Sequence, residues 1–113
     1  MHEMSLCESI RSILENEAAA KAFKSVDVVR LEIGALSGVE PDALKFGFDV
    51  TMAGSVAAKA RLEIIEVPGQ AWCLPCAETV FINARYDPCP SCGSHQLQVT
   101  GGEEMRILEL EVQ

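Results

Sequence analysis

Two sets of residues in this chain have the types and spacing to hold transition metals. The first is Met1-His2-Glu3. A free α-amine on Met1, the amide nitrogen of His2 and the His2 imidazole can close two adjacent chelate rings on one ion. Nitrogen donors in a near-planar array suit Ni(II) or Cu(II) far better than Mg(II) or Ca(II). A histidine beside a chain terminus is more often merely solvated, so position alone does not make it a ligand. A fourth donor is expected from the backbone or carboxylate of Glu3, or from another side chain. His95, though better read as a surface residue, is a candidate for it.

The second set is cysteine. Cys73-x-x-Cys76 and Cys89-x-x-Cys92 enclose twelve residues. Each pair can sit on a tight knuckle that aims both sulfurs at one point. Four thiolates then form the tetrahedral shell that Zn(II) accepts without strain, and a closed shell is structural rather than catalytic. Pro75, Pro88, Pro90 and Gly93 supply turn chemistry around the knuckles. Iron, or a redox dithiol, would also use such pairs. A thioredoxin-like dithiol, however, normally uses one pair beside a βαβ unit, which this pattern lacks. The fifth cysteine, Cys7, lies on an apolar helical stripe and reads as a small core residue rather than a ligand.

Size and charge restrict the rest. At 113 residues the chain is one domain, or one domain with a small module inside it. The balance of 9 basic against 17 acidic residues gives a net charge of −8, which disfavours a nucleic-acid partner. The cysteine segment itself, residues 69–98, has Arg85 as its only base. No apolar run is long enough to span a bilayer, and no export signal is visible. Five cysteines without such a signal point to a reducing, cytoplasmic setting, where paired thiols read as metal ligands before disulfides.

These residues need a frame to hold them. Met4, Cys7, Ile10, Leu14 and Ala18 recur at helical spacing over residues 4–23. Ser5 and Glu8 have capping-box spacing, which places the helix start near Ser5 and leaves Met1-His2-Glu3 projecting from it. Residues 27–34 alternate as a strand. Pro41 fits the first turn of a second helix, with Leu44, Phe48 and Met52 on its buried face and Gly54-Ser55 at its end. Residues 59–67 form a second strand, with Leu62 and Ile64 on one side and Arg61 and Glu63 on the other. Short strand-like pieces lie around Trp72, expected to pack over the cysteine module, and around residues 79–82. Residues 105–112 form a last strand, with Leu108, Leu110 and Val112 facing in and a bulge near Ile107. Pro68-Gly69 and Gly101-Gly102 bracket the module, as hinges or as tight turns.

The expected architecture is therefore α+β. Residues 1–68 and 99–113 form a discontinuous domain, and residues 69–98 form a zinc-ribbon-like module of four cysteines inserted before the last strand.

With these pieces in place, the chain resembles the HypA/HybF family of hydrogenase nickel-insertion accessory proteins. The matching stretches are MHEMSLCESI, IGALSGVEPDALKFGFDV, CLPC with CPSC, and GGEEMRILELEV, in the family's order along almost the whole length. The resemblance implies two helices packed on a three-stranded mixed sheet, carrying nickel, with the zinc module inserted. It implies that His2 is the essential Ni(II) ligand within Met1-His2-Glu3, and that Cys73, Cys76, Cys89 and Cys92 hold structural Zn(II). The partners it implies are a HypB-type GTPase and the [NiFe]-hydrogenase large subunit, with urease accessory proteins in some organisms. The rival reading is a zinc-ribbon protein-interaction module without nickel delivery. An enzyme is not expected, since no nucleophile-base pair, open zinc shell or phosphate-binding loop is present.

Overall fold

The computed structural model describes the backbone of residues 2–113 and the side chains from Glu3 onward. In chain order the elements are α1 (His2–Lys21), β1 (Val26–Gly34), α2 (Pro41–Met52), β2 (Arg61–Val67), β3 (Gly69–Cys73), β4 (Glu78–Ile82), β5 (Leu97–Gly101) and β6 (Met105–Val112).

α1 buries Cys7, Ile10, Leu14 and Ala18, the stripe that the sequence spacing picks out. It begins at His2, not near Ser5, so Ser5 stands inside the helix and the first turn contains Glu3. A carboxylate in the first turn favours this earlier start, because it lies at the positive end of the helix dipole. Beyond Lys21 the helix is stopped by Ala22, at φ +57°. α2 starts as its sequence demands. Pro41 occupies the first turn, and the Glu40 carboxylate accepts the Asp42 N–H at 3.2 Å. Leu44, Gly47, Phe48 and Met52 form its buried face.

The first sheet has the order β2-β1-β6. At one end of β1, Ser25 exchanges backbone bonds with Gln113, and at the other the Gly34 N–H donates to the Glu104 carbonyl. β1 and β6 therefore run antiparallel. The Val26 N–H donates to the Val56 carbonyl and the Ala35 N–H to the Val67 carbonyl, so β1 and β2 run parallel. The crossover between them carries α2, the connection a parallel pair requires. The result is a mixed sheet with both helices packed on it. Arg30 on β1 donates to Glu63 on β2 at 2.7 Å and to Glu109 on β6 at 3.0 Å, and also binds Glu111. Those carboxylates, Glu111 first and then Glu63, hold its guanidinium charged well above the usual arginine value. One arginine thus ties all three strands on the polar face.

In β6, Met105, Ile107 and Leu110 are half-buried, whereas Leu108 and Val112 are 38% and 42% exposed. Glu109 and Glu111 meet Arg30 on the polar face, so Leu108, Leu110 and Val112 share the opposite face as alternation expects, with Leu108 and Val112 only partly covered there. The burial pattern slips by one residue between Ile107 and Leu110, where the sequence pattern asks for a bulge. β6 is also an edge strand, so nothing in the sheet covers its outer side.

Two compact units partition the chain. One comprises residues 1–31, Glu40–Ile64 and Ile107–Gln113; the other comprises Glu32–Val39 and Ile65–Arg106. In the second unit β3 pairs antiparallel with both β4 and β5, in the order β4-β3-β5. Its core is small: Leu36, Ala71, Cys73, Val80, Ile82 and Cys89, flanked by Cys76, Leu97 and Val99. Trp72 stands outside this core. Ala71 and Cys73 take the inner face of β3, so strand alternation turns Trp72 outward, where it is 38% exposed opposite Thr79 and Gln98.

The glycine breaks of this unit are close backbone crossings. A Cβ on Gly102, at φ +80°, would lie 2.5 Å from the Pro68 carbonyl oxygen, and one on Gly34 would lie 2.1 Å from that of Gly102. The Leu36 N–H donates to the Gly102 carbonyl at 2.8 Å across the same crossing. No other residue type allows the chain segments to approach this closely.

Candidate metal centre

Cys73 ends β3, Cys76 follows on the turn into β4, and Cys89 and Cys92 lie on the loop before β5. The two knuckles are built alike. The N–H of Ala77 donates to the Cys73 carbonyl at 2.8 Å, and the N–H of Gly93 donates to the Cys89 carbonyl at 2.8 Å. In each case the residue after the second cysteine closes the turn in the left-handed region, Ala77 at φ +52° and Gly93 at φ +77°. Gly93 adopts this without strain, whereas for Ala77 the left-handed conformation costs about 1 kcal/mol. Ala77→Gly should therefore raise the thermal stability of the zinc-loaded protein by about 0.5–1 kcal/mol. A melting temperature left unchanged or lowered would show that the turn carries no such strain.

The four sulfurs converge. Cys73 Sγ lies 3.7 Å from Cys92 Sγ, and Cys76 Sγ lies 4.0 Å from Cys89 Sγ. All four lie within 4.8 Å of one another. A tetrahedral ion with metal–sulfur bonds of about 2.3 Å sets its sulfurs about 3.8 Å apart, so the arrangement fits Zn(II) with little movement. Cys73 and Cys89 are buried, Cys76 is half-buried and Cys92 is exposed.

The acid–base chemistry of the cluster also asks for a cation. The backbone N–H of Cys92 points at the Cys89 sulfur, the Ser91 N–H assists at 3.4 Å, and the Cys89 thiol is drawn down to about 7 against the opposing effect of burial. Cys76 is pushed far the other way by the sulfurs of Cys92 and Cys73 and then by burial. At Cys73 the Cys76 N–H favours the thiolate, but burial and the facing thiols outweigh it, and its value is raised. One thiolate forms readily here, while four close together need a doubly charged ion between them.

The other sequence-derived candidates are placed as follows. The Met1 amine and the His2 imidazole lie outside the described residues. Glu3 lies in the first turn of α1 and is half-buried. Cys7 is fully buried in α1, its thiol 3.6 Å from the Leu44 carbonyl. Burial first, then Glu3 and Glu8, raises its value, so it stays a neutral core thiol. His95 is exposed on the turn before β5, beside Arg85, Tyr86 and Asp87. Sequence spacing did not disclose Arg11, which donates to the carbonyls of Thr51 at 2.8 Å and Ala53 at 3.2 Å. It thereby satisfies the carbonyls that the end of α2 leaves open.

The chain's likeness to known proteins is extensive. Residues 1–112 match the family model described as hydrogenase/urease nickel incorporation, metallochaperone, hypA. The hydrogenase maturation factor HypA 2 of Bradyrhizobium diazoefficiens is 61% identical over 112 residues, 99% of each chain. The hydrogenase maturation factor HypA of Alkalilimnicola ehrlichii is 59% identical over 112 residues, again 99% of each chain. The solution structure of the Ni metallochaperone HypA from Helicobacter pylori superposes with a TM-score of 0.69 at 29% identity, covering 99% of this chain and 97% of that one.

Proposed function

The chain belongs to the HypA family of nickel-incorporating metallochaperones that serve hydrogenase maturation, and we propose that it carries Ni(II) on Met1, His2 and Glu3. In this reading the ion is held by the Met1 amine, the His2 amide nitrogen and the His2 imidazole, with Glu3 completing the shell. The structural Zn(II) has its own site, on Cys73, Cys76, Cys89 and Cys92. Residues 1–68 and 99–113 act as the nickel-binding domain, and residues 69–98 as the zinc module.

The observation that carries this reading is the start of α1 at His2. The first four N–H groups of any α-helix have no acceptor within the helix. Nickel can therefore displace the amide proton of His2 without breaking a helical hydrogen bond. The amide that results is an anion, which the positive end of the helix dipole stabilises. A carrier must also be able to hand its cargo to a receiving protein. Binding releases protons, so nickel affinity rises with pH.

The receiving proteins in this reading are a HypB-type GTPase and the hydrogenase large subunit, met in the cytoplasm. Urease accessory proteins are the corresponding partners where urease is the client. No helix among the described residues is long and apolar enough to cross a membrane. The protein acts as a carrier, with no catalytic step of its own.

Calorimetric titration of zinc-loaded protein with Ni(II) tests the assignment. The wild-type chain should take up one nickel, and His2→Ala should lose at least about 100-fold in affinity while keeping its zinc. Equal nickel affinity in the two proteins would remove the terminus as the site.

A further inference from the structure

Gly47 sits in the middle of α2 with an ordinary helical backbone, so no unusual φ calls for glycine there. A glycine in a helix interior costs about 1 kcal/mol relative to alanine, and something must offset that cost. The reason lies across the helix pair. A Cβ on Gly47 would lie 3.0 Å from Met4 Sδ and 3.3 Å from Cys7 Sγ, closer than ordinary van der Waals contact.

Met4, Cys7 and Arg11 fall on one stripe of α1, at spacings of three and four. Along α2, Met4 and Cys7 lie over Gly47, the Cys7 thiol reaches the Leu44 carbonyl, and Arg11 reaches the carbonyls of Thr51 and Ala53. The seam thus begins at Met4, two residues from His2, and the bare face at Gly47 lets it begin so early. Helix ends fray unless they are held. Here the first turn of α1 is seated against a neighbouring helix, which gives the terminal chelate an anchored base.

We infer that Gly47 is a positioning residue for the nickel-binding terminus, acting by seating Met4. This rests on the reading that nickel binds at Met1, His2 and Glu3. Added bulk at position 47 lifts Met4 by a few tenths of an ångström and displaces the first turn. The amine, amide and imidazole must then find a planar arrangement from a less ordered start. Chelate geometry is sensitive to misplacement on this scale.

The test uses the full, untagged, zinc-loaded chain with Ni(II) as the probe. Gly47→Ala should weaken nickel binding about tenfold and move the development of the nickel–amide absorption band to higher pH. Its zinc content and helical far-ultraviolet signal should stay at the wild-type level, since alanine's better helix propensity works against the tighter contact. Asp49→Ala, on the exposed face of the same helix, should change neither metal. If Gly47→Ala does not fold, Met4→Ala decides, because it removes the seated side chain from a half-buried position. Nickel affinity and band midpoint equal to wild type in the folded variant would overturn the inference and leave Gly47 a packing residue. His2→Ala run alongside separates the two claims. If it retains nickel, the terminal site itself fails, whereas if only Gly47→Ala and Met4→Ala bind normally, the positioning claim alone fails.

Discussion

Chelating the zinc should unfold the antiparallel sheet of β3, β4 and β5 while α1 and α2 persist. Six buried residues make up the core of that unit, and two of them, Cys73 and Cys89, are metal ligands. Without the ion the remaining apolar contacts are too few to offset the chain entropy of so many loop residues. Structural zinc sites of four thiolates contribute about 10–16 kcal/mol at neutral pH, far above what this core supplies. The lone Trp72, on β3, reports the event directly. Its emission should shift to the red on chelator addition, while the helical far-ultraviolet signal is largely retained. Cys73→Ser should reproduce the effect more completely than Cys92→Ser, since Cys73 is fully buried and Cys92 is exposed. An apo-protein with native tryptophan emission and intact strand signals would show that the sheet holds without metal.

The second large effect concerns the terminus. One residue added before Met1 should abolish the nickel mode and leave zinc untouched. In the proposed site the extension would turn the Met1 amine into an amide and remove the anchor from which nickel is to displace the His2 proton. It changes no residue of α1, and none of the described side chains, so the fold is unaffected. Calorimetry should record loss of the nickel heat with the zinc stoichiometry preserved. Nickel uptake of undiminished strength by the extended chain would move the site elsewhere.

The four-cysteine cluster was readable from the sequence because it depends on a few residues at fixed spacing. Two Cys-x-x-Cys pairs bring four sulfurs together whatever strands surround them, and the structure brings them within bonding range of one ion. The helices were readable from their apolar periods, as Cys7, Ile10 and Leu14 and then Leu44, Phe48 and Met52 bear out. What local pattern could not show is where neighbours override it. Ser5 has the spacing of a cap, but α1 extends past it to His2. Trp72 is large and apolar, yet the small residues on either side claim the inner face of β3. Leu108 and Val112 keep to the inward face and are still partly exposed, because they line an open groove beside Ile13, Glu17, Lys21 and Phe23. β5 contributes only Leu97 and Val99 to the core, too weak an alternation to announce a strand. The role of Gly47 depends on two sulfur side chains some forty residues away in the chain, a separation no local pattern spans.

The most direct test of the carrier assignment is a metal count on the untagged chain, purified after growth with both nickel and zinc, beside its His2→Ala counterpart. The expected values are one zinc and one nickel per wild-type chain, and one zinc alone in the variant, with no sulfur-to-nickel charge-transfer band in either. Nickel present equally in both proteins, or nickel found on the four cysteines in place of zinc, would contradict the account.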